Sequence, residues 1–227
     1  MTPRPLAWLV LALPLFWPGA APAQPSKEAV NAPLVTNPDV LRWQSELEND
    51  GREVYRERYR ILAAVGLKPG MSVADVGSGS GLFTRLFAKR VGPGGRVYAV
   101  DISQPLLDHV MQTAKNERLD DVIGVLDTAD DTKLPEASVD LVYVCDTYHH
   151  FEQPQKILAS IRRALRPGGT LVVVDFERIE GKSPRWLLEH VRAGKATVES
   201  EIEAAGFRFV AEKKFLKENY FVVFKRT

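Results

Sequence analysis

The sequence predicts an α/β domain built on a mainly parallel sheet, and three features predict it. From Ser72 onward, short runs rich in β-branched residues alternate with stretches of helical periodicity, the pattern of successive βα units. A glycine-rich turn, Gly77-Ser78-Gly79-Ser80-Gly81, joins the first of these runs to the first of these helices. The chain of 227 residues is 45% hydrophobic, which is enough apolar material for one core, and its length favours one domain with an extension.

The extension comes first. Arg4 precedes an apolar run from Leu6 to Trp17, followed by Pro18, Gly19 and the small residues Ala20-Ala21-Pro22-Ala23, the layout of a secretory signal peptide cleaved before Gln24. The run is shorter than the roughly 20 apolar residues of a bilayer span, and Pro14 lies inside it. We therefore expect residues 1–23 to be a signal peptide, the protein to be exported to the periplasm or beyond, and no transmembrane span to remain after processing. Residues 24–38 then form a polar, proline-containing tether with little to pack.

Asn37-Pro38-Asp39 is expected to cap a helix and open it with an early proline, after which Val40, Trp43 and Leu47 recur at helical spacing. Gly51 interrupts, and Val54, Ile61, Leu62 and Val65 continue a stripe closed by Gly66 and Pro69-Gly70. Residues 39–66 read as a helical cap and residues 67–227 as the α/β domain. Within it, strands are expected over Val73–Val76, Arg96–Val100, Val122–Val125, Leu141–Val144 and Thr170–Asp175. Helical patterning covers Leu82–Val91, Pro105–Asn116 and Pro154–Leu165, with right-handed crossovers. One or two further helices, roughly Pro184–Arg192 and Ala196–Ala205, precede an antiparallel hairpin of Arg208–Leu216 and Tyr220–Phe224.

The charge balance narrows the partners. Thirty basic and 29 acidic side chains leave a formal charge of +1, so no net field draws in nucleic acid or an anionic membrane. Small molecules or proteins are the expected partners, and no nucleic acid. The single cysteine, Cys145, excludes an internal disulfide and a cysteine-based zinc cluster.

The chemistry-bearing residues fall at strand ends. Val73-Ala74-Asp75-Val76 runs into glycines at alternate positions, where the backbone must turn sharply and admit a ligand without a Cβ in the way. A dinucleotide fingerprint places its third glycine three positions after the second, and counted from Gly79 that position is Leu82. Asp101 ends the second strand 26 positions beyond Asp75, where open α/β sheets bind a ribose through a carboxylate. Asp127, Asp130 and Asp131 follow the third strand, and the fourth delivers Asp146, His149 and His150 to the edge of the sheet that binds ligands. A histidine there can take a proton from an acceptor. No metal site is expected, since adjacent histidines diverge and no glutamate-containing histidine motif accompanies them.

Taken together, these segments resemble the class I S-adenosylmethionine-dependent methyltransferases over Lys68 to Thr227. The carriers of the resemblance are Asp75 with Gly77, Gly79 and Gly81, then Asp101, then Leu134-Pro135 before the fourth strand, and Leu165-Arg166-Pro167-Gly168-Gly169 before the fifth. It implies a doubly wound seven-stranded sheet of order 3-2-1-4-5-7-6, the last strand antiparallel, with helices on both faces and an N-terminal helical extension. It implies S-adenosyl-L-methionine as cofactor, bound through Asp75, Gly77, Ser78, Gly79, Gly81, Asp101, Ile102 and Asp146. Counting back from Leu134-Pro135 puts Asp130 at the adenine amino group, but Asp131 stands where a small residue is usual. The choice between Asp130 and Asp131 stays open, with Asp127 a third candidate. The implied reaction is methyl transfer to a small-molecule acceptor, with His149, ahead of His150, and Asp146 as catalytic candidates. Arg52, Tyr55, Arg58 and Tyr59 lie on the preceding helix, which in related enzymes often folds over the cofactor. Two rivals are a non-catalytic, exported nucleoside-binding module and an NAD-type oxidoreductase, and the glycine spacing argues against the second.

Overall fold

The computed structural model describes residues 38–227; the expected signal peptide and the tether up to residue 37 lie outside the described residues. In chain order the elements are α1 (Val40–Leu47), α2 (Glu53–Arg56), α3 (Arg58–Val65), β1 (Ser72–Val76), α4 (Leu82–Val91), β2 (Arg96–Asp101), α5 (Gln104–Asn116) and β3 (Val122–Leu126). There follow β4 (Val139–Cys145), a 3₁₀ turn (Tyr148–His150), α6 (Pro154–Ala164), β5 (Leu165–Phe176), α7 (Arg185–His190), α8 (Lys195–Ala204), β6 (Phe207–Glu212) and β7 (Asn219–Arg226).

The strands form one seven-stranded sheet in the order β3-β2-β1-β4-β5-β7-β6, as the resemblance implies. The first five are parallel, and β7 runs antiparallel to both β5 and β6. Successive side chains on a strand point to opposite faces, so the inner strands feed two cores. Val142 and Val144 of β4 enter the core packed by α6 and α8, whereas Leu141 and Tyr143 enter the core packed by α3, α4 and α5. Burial on both faces explains the near-continuous apolar runs of the central strands.

Four expectations are corrected. Asp39 caps α1 by accepting the Arg42 N–H at 3.0 Å, so Pro38 precedes the cap instead of opening the helix. The stripe from Val54 to Val65 is two helices, broken at Glu57 (φ −93°, ψ 8°). The fifth strand begins at Leu165 rather than Thr170: Leu165 pairs with Val139 and Thr170 with Leu141, so residues 166–169 bulge out between two short steps of β4. The sixth strand ends at Glu212, and Phe215 and Leu216 instead fold back onto the core.

The helical cap is fixed to the sheet by buried polar contacts. Glu53, 6% exposed, accepts the backbone N–H groups of Lys217, Glu218 and Asn219 at 2.7, 2.7 and 3.0 Å. Arg85 of α4 donates to both carboxylate oxygens of Glu48 at 2.9 and 2.8 Å and to the Ser80 carbonyl at 2.9 Å. A bidentate guanidinium–carboxylate pair of this kind fixes orientation as well as proximity. The cap end of α1 is thereby held over the glycine turn.

Candidate active site

Between β1 and β4 the strand order reverses direction, and in open α/β sheets ligands bind at such a switch point, beyond the carboxyl ends of the strands. A cavity lies there, bounded by the turn after β1, the ends of β2, β3 and β4, and the cap residues Trp43, Leu47, Arg52 and Val54.

The turn itself is shaped by what faces it. Gly77 has φ +74°, and a Cβ on it would lie 2.2 Å from Thr147 Oγ1 and 2.3 Å from Thr147 Cγ2. The two strand ends therefore meet backbone against side chain. Gly77, Ser78, Gly79 and Ser80 line the cavity. Gly81 does not: it precedes α4, and its missing Cβ makes room for Val110 of α5 at 2.9 Å. Of the residues expected around the cofactor, Gly81 is therefore placed in helix packing rather than at the cavity wall.

Asp75, Asp101, Ile102 and Asp146 all reach the wall. Asp101 accepts the Gly79 N–H on Oδ2 at 2.8 Å and the Ser103 N–H on Oδ1 at 2.9 Å, so it braces the glycine turn while each oxygen keeps a further lone pair. Asp75 accepts the Thr84 hydroxyl at 2.6 Å. Asp146, in the left-handed region at φ +47°, accepts from the Arg52 guanidinium and from Asn219 Nδ2, the latter at 2.7 Å.

After β3 the structure departs from the count made back from Leu134-Pro135. Thr128 and Asp131 bridge to each other through paired backbone hydrogen bonds of 3.0 and 3.4 Å, throwing residues 129–130 into a tight loop. Asp130 points outward, accepting the Thr128 hydroxyl with Lys156 3.6 Å away, and Asp131 accepts from Arg163 at 3.0 Å. Neither lines the cavity; Asp127 does, directly after β3. Its backbone N–H donates to the Asp101 carbonyl, and its buried Oδ1 finds no hydrogen-bond partner within the protein. Nearness to a strand end, Asp127 just after β3 and Asp101 closing β2, is the signal that would have selected it.

The cavity is lined by the carboxyl groups of Asp75, Asp101, Asp127, Asp146 and Glu152. Burial raises the pKa of Asp75 to about 7, of Asp127 to about 8 and of Asp146 to about 6, the last against the pull of the Arg52 guanidinium; Asp101 is raised as well, chiefly by burial. Repulsion from Asp101 adds to the rise at Asp75 and Asp127. Among the described lining residues Arg52 is the only arginine or lysine, and it is already committed to Asp146. Such a wall favours a cation rich in hydrogen-bond donors and opposes an anion. Burial also pushes the Cys145 thiol well up, which leaves it a poor nucleophile.

The histidines divide. His150 lines the cavity, whereas His149, 3% exposed, turns away from it: its Nδ1 lies 2.7 Å from Asp175 Oδ1 and its Nε2 lies 3.2 Å from His190 Nε2. The preference for His149 at the reacting centre is reversed by this placement. The expectation of no metal-ligating group also meets a different geometry, since His149, His150 and His190 gather within 4.8 Å at their ligand atoms. His190 lies on α7, far along the chain, and no local pattern ties it to the histidine pair. In the cap, Arg52 reaches the cavity, but Arg58 stacks over Tyr55 and Tyr59 at 4.2 and 4.7 Å and none of the three lines it.

Comparison with known proteins agrees with this geometry. Residues 74–173 match the family described as "Methyltransferase domain". The chain is 35% identical over 122 residues to the ubiquinone/menaquinone biosynthesis C-methyltransferase UbiE of Bordetella avium, covering 52% of this chain and 46% of that protein. The UbiE of Laribacter hongkongensis is 34% identical over 126 residues, covering 54% of this chain and 50% of that protein. The chain thus spans about half the length of these relatives. Among solved structures, a SAM-dependent methyltransferase from Aquifex aeolicus superposes with a TM-score of 0.73 at 25% identity, covering 83% of this chain and 99% of that one. The [4+2]-cyclase SpnF superposes with a TM-score of 0.70 at 17% identity, covering 90% of this chain and 97% of that one, and shows the shared fold alone. Residues 74–173 thus carry a methyltransferase domain, and the glycine turn and sheet order are those of the class I S-adenosylmethionine-dependent methyltransferase fold.

Proposed function

We propose that the cavity binds S-adenosylmethionine and that the protein transfers its methyl group to a small-molecule acceptor. The observation that carries this reading is the acidic wall around the glycine turn. S-adenosylmethionine carries a sulfonium, an ammonium, two ribose hydroxyls and an adenine amino group, each of which a carboxylate complements. A dinucleotide would bring its negative pyrophosphate to the same wall.

In this arrangement Asp101 accepts from the ribose hydroxyls and Asp127 from the adenine amino group, supplying the acceptor that its Oδ1 has free. Gly77 and Ser78 form the floor, and the Arg52–Asp146 pair sits where β4 ends, toward the methionine portion. When bound, the cofactor supplies both the methyl group and a good leaving group. What remains for the chain is to hold an acceptor in line and to exclude water. Trp43 and Leu47 from α1 serve the second task, because they close the cavity above the turn. The relatives named for ubiquinone and menaquinone biosynthesis support an aromatic, quinone-precursor-like acceptor as the first class to assay. The layout of residues 1–23 supports export, so the form beginning at Gln24 is the one to test.

Incubation of that form with methyl-labelled S-adenosylmethionine and hydroxylated aromatic acceptors is expected to label the acceptor. Binding of the cofactor without turnover on any acceptor class would assign the chain instead to a binding module. The adenine assignment has its own test. Asp127→Ala is expected to weaken S-adenosylmethionine binding about 10- to 100-fold, the cost of leaving the buried adenine amino group without its acceptor, whereas Asp130→Ala and Asp131→Ala leave it within about threefold. The same variant changes stability in a defined direction. With its pKa raised from 3.8 to about 8 in the folded protein, Asp127 binds its proton more tightly folded than unfolded. Its contribution to stability is therefore full below the unfolded pKa and is lost as pH rises toward 8. Thermal melting of the unliganded protein between pH 4 and 8 should show a smaller decline with pH in Asp127→Ala than in the wild type.

A further inference from the structure

We propose that His149, His150 and His190 form a binding site for one divalent transition-metal ion of the zinc class, with Asp175 as the positioning residue behind His149. The inference is independent of the cofactor assignment. Three imidazoles from two separated segments converge: the 3₁₀ turn after β4 supplies His149 and His150, and the last residue of α7 is His190. Their ligand atoms lie within 4.8 Å of one another. Two nitrogens bound to one tetrahedral zinc at about 2.0–2.1 Å stand about 3.3 Å apart, and His149 Nε2 and His190 Nε2 are already 3.2 Å apart.

The support around His149 sets its tautomer. Asp175, 1% exposed, has Oδ1 at 2.7 Å from His149 Nδ1 and accepts the His149 backbone N–H on Oδ2 at 3.1 Å. A proton held on Nδ1 by this carboxylate leaves the lone pair on Nε2, aimed at His190. A carboxylate behind an imidazole is the recurrent second layer of zinc sites, where it fixes the ring and raises its basicity. Phe176, 5.8 Å from the His149 ring, and Trp186, packed edge-on against Phe176, wall the cluster on one side. Three imidazole ligands suit zinc, cobalt, nickel or copper better than magnesium or calcium, which prefer oxygen. Three protein ligands leave a coordination position for an exogenous group, and because His150 also lines the cavity, the site adjoins the place where an acceptor would lie.

The experiment uses the full chain without a polyhistidine tag, stripped with a chelator and titrated with ZnCl₂ by calorimetry and with CoCl₂ by visible absorption. The expected result is one equivalent bound, a raised thermal midpoint, and the d–d absorption of four- or five-coordinate cobalt. His190→Ala and His150→Ala are each expected to weaken zinc at least 100-fold. His190→Gln, which keeps a side-chain hydrogen bond but offers no imidazole, is expected to lose zinc equally while melting near the wild-type temperature. Should His190→Ala not fold, His150→Ala and His190→Gln carry the test. Absence of zinc or cobalt binding in the wild type would overturn the proposal and leave the cluster a hydrogen-bonded one. Undiminished binding in the histidine variants would also overturn it, by placing the ion elsewhere.

Discussion

Asp101→Ala is expected to reduce S-adenosylmethionine affinity by about 10²- to 10⁴-fold, since two charge-assisted hydrogen bonds to the ribose are each worth about 1.5–3 kcal/mol. The loss has a second source in the protein itself. Asp101 holds the Gly79 and Ser103 N–H groups, so its removal also frees the glycine turn from the end of β2. Calorimetric titration measures the change, and a cooperative melt of the variant confirms that the protein is folded. An affinity within threefold of wild type would mean that the ribose does not lie against β2.

Gly77→Val should be the most disruptive single change at the turn. Valine must adopt a positive φ that β-branched residues essentially never take, and its Cβ would stand 2.2 Å from Thr147 Oγ1. Thr147 cannot swing clear, because its own Cβ lies 2.7 Å from the added atom and its hydroxyl donates to the Cys145 carbonyl at 2.8 Å. The expected outcome is no measurable cofactor binding and a clearly lowered thermal midpoint. Gly66→Ala separates the two causes. Gly66 shares the positive φ (+78°) but has nothing within 4 Å of an added Cβ, so it should cost only the backbone strain of about 1–2 kcal/mol and leave binding intact.

Where the sequence was legible, local pattern and tertiary demand coincided. The run Leu82–Val91 was bounded correctly because glycine stands at both ends, Gly81 and Gly92, each with positive φ. The end of β2 was legible because a carboxylate after an apolar run has few other places to be. The start of β5 was not, because Pro167 and Gly168 look like a terminator although pairing with β4 begins before them at Leu165. A bulge is a property of two strands, and one strand's sequence does not carry it.

The candidate site divides along the same line. Asp75, Gly77, Ser78, Gly79, Asp101, Ile102 and Asp146 sit at strand ends that the pattern located, and all reach the cavity. Asp130 and Asp131 were selected by distance from a downstream Leu-Pro, and the Thr128–Asp131 bridge shortens that loop in space without shortening it in sequence. Glu53, Asn219, Asp175 and His190 act through partners up to 166 positions away, a relation that periodicity cannot show. The histidine pair was legible as chemistry but not as geometry, since the orientation of adjacent rings depends on the 3₁₀ turn and on Asp175.

A crystal structure of the chain with S-adenosylhomocysteine tests the account most directly. It should show the ribose hydroxyls on the Asp101 carboxylate and the adenine amino group on Asp127, above the Gly77-to-Ser80 turn and beneath Leu47. Electron density for the adenosyl group anywhere else, or an adenine lying against Asp130 or Asp131, would contradict it.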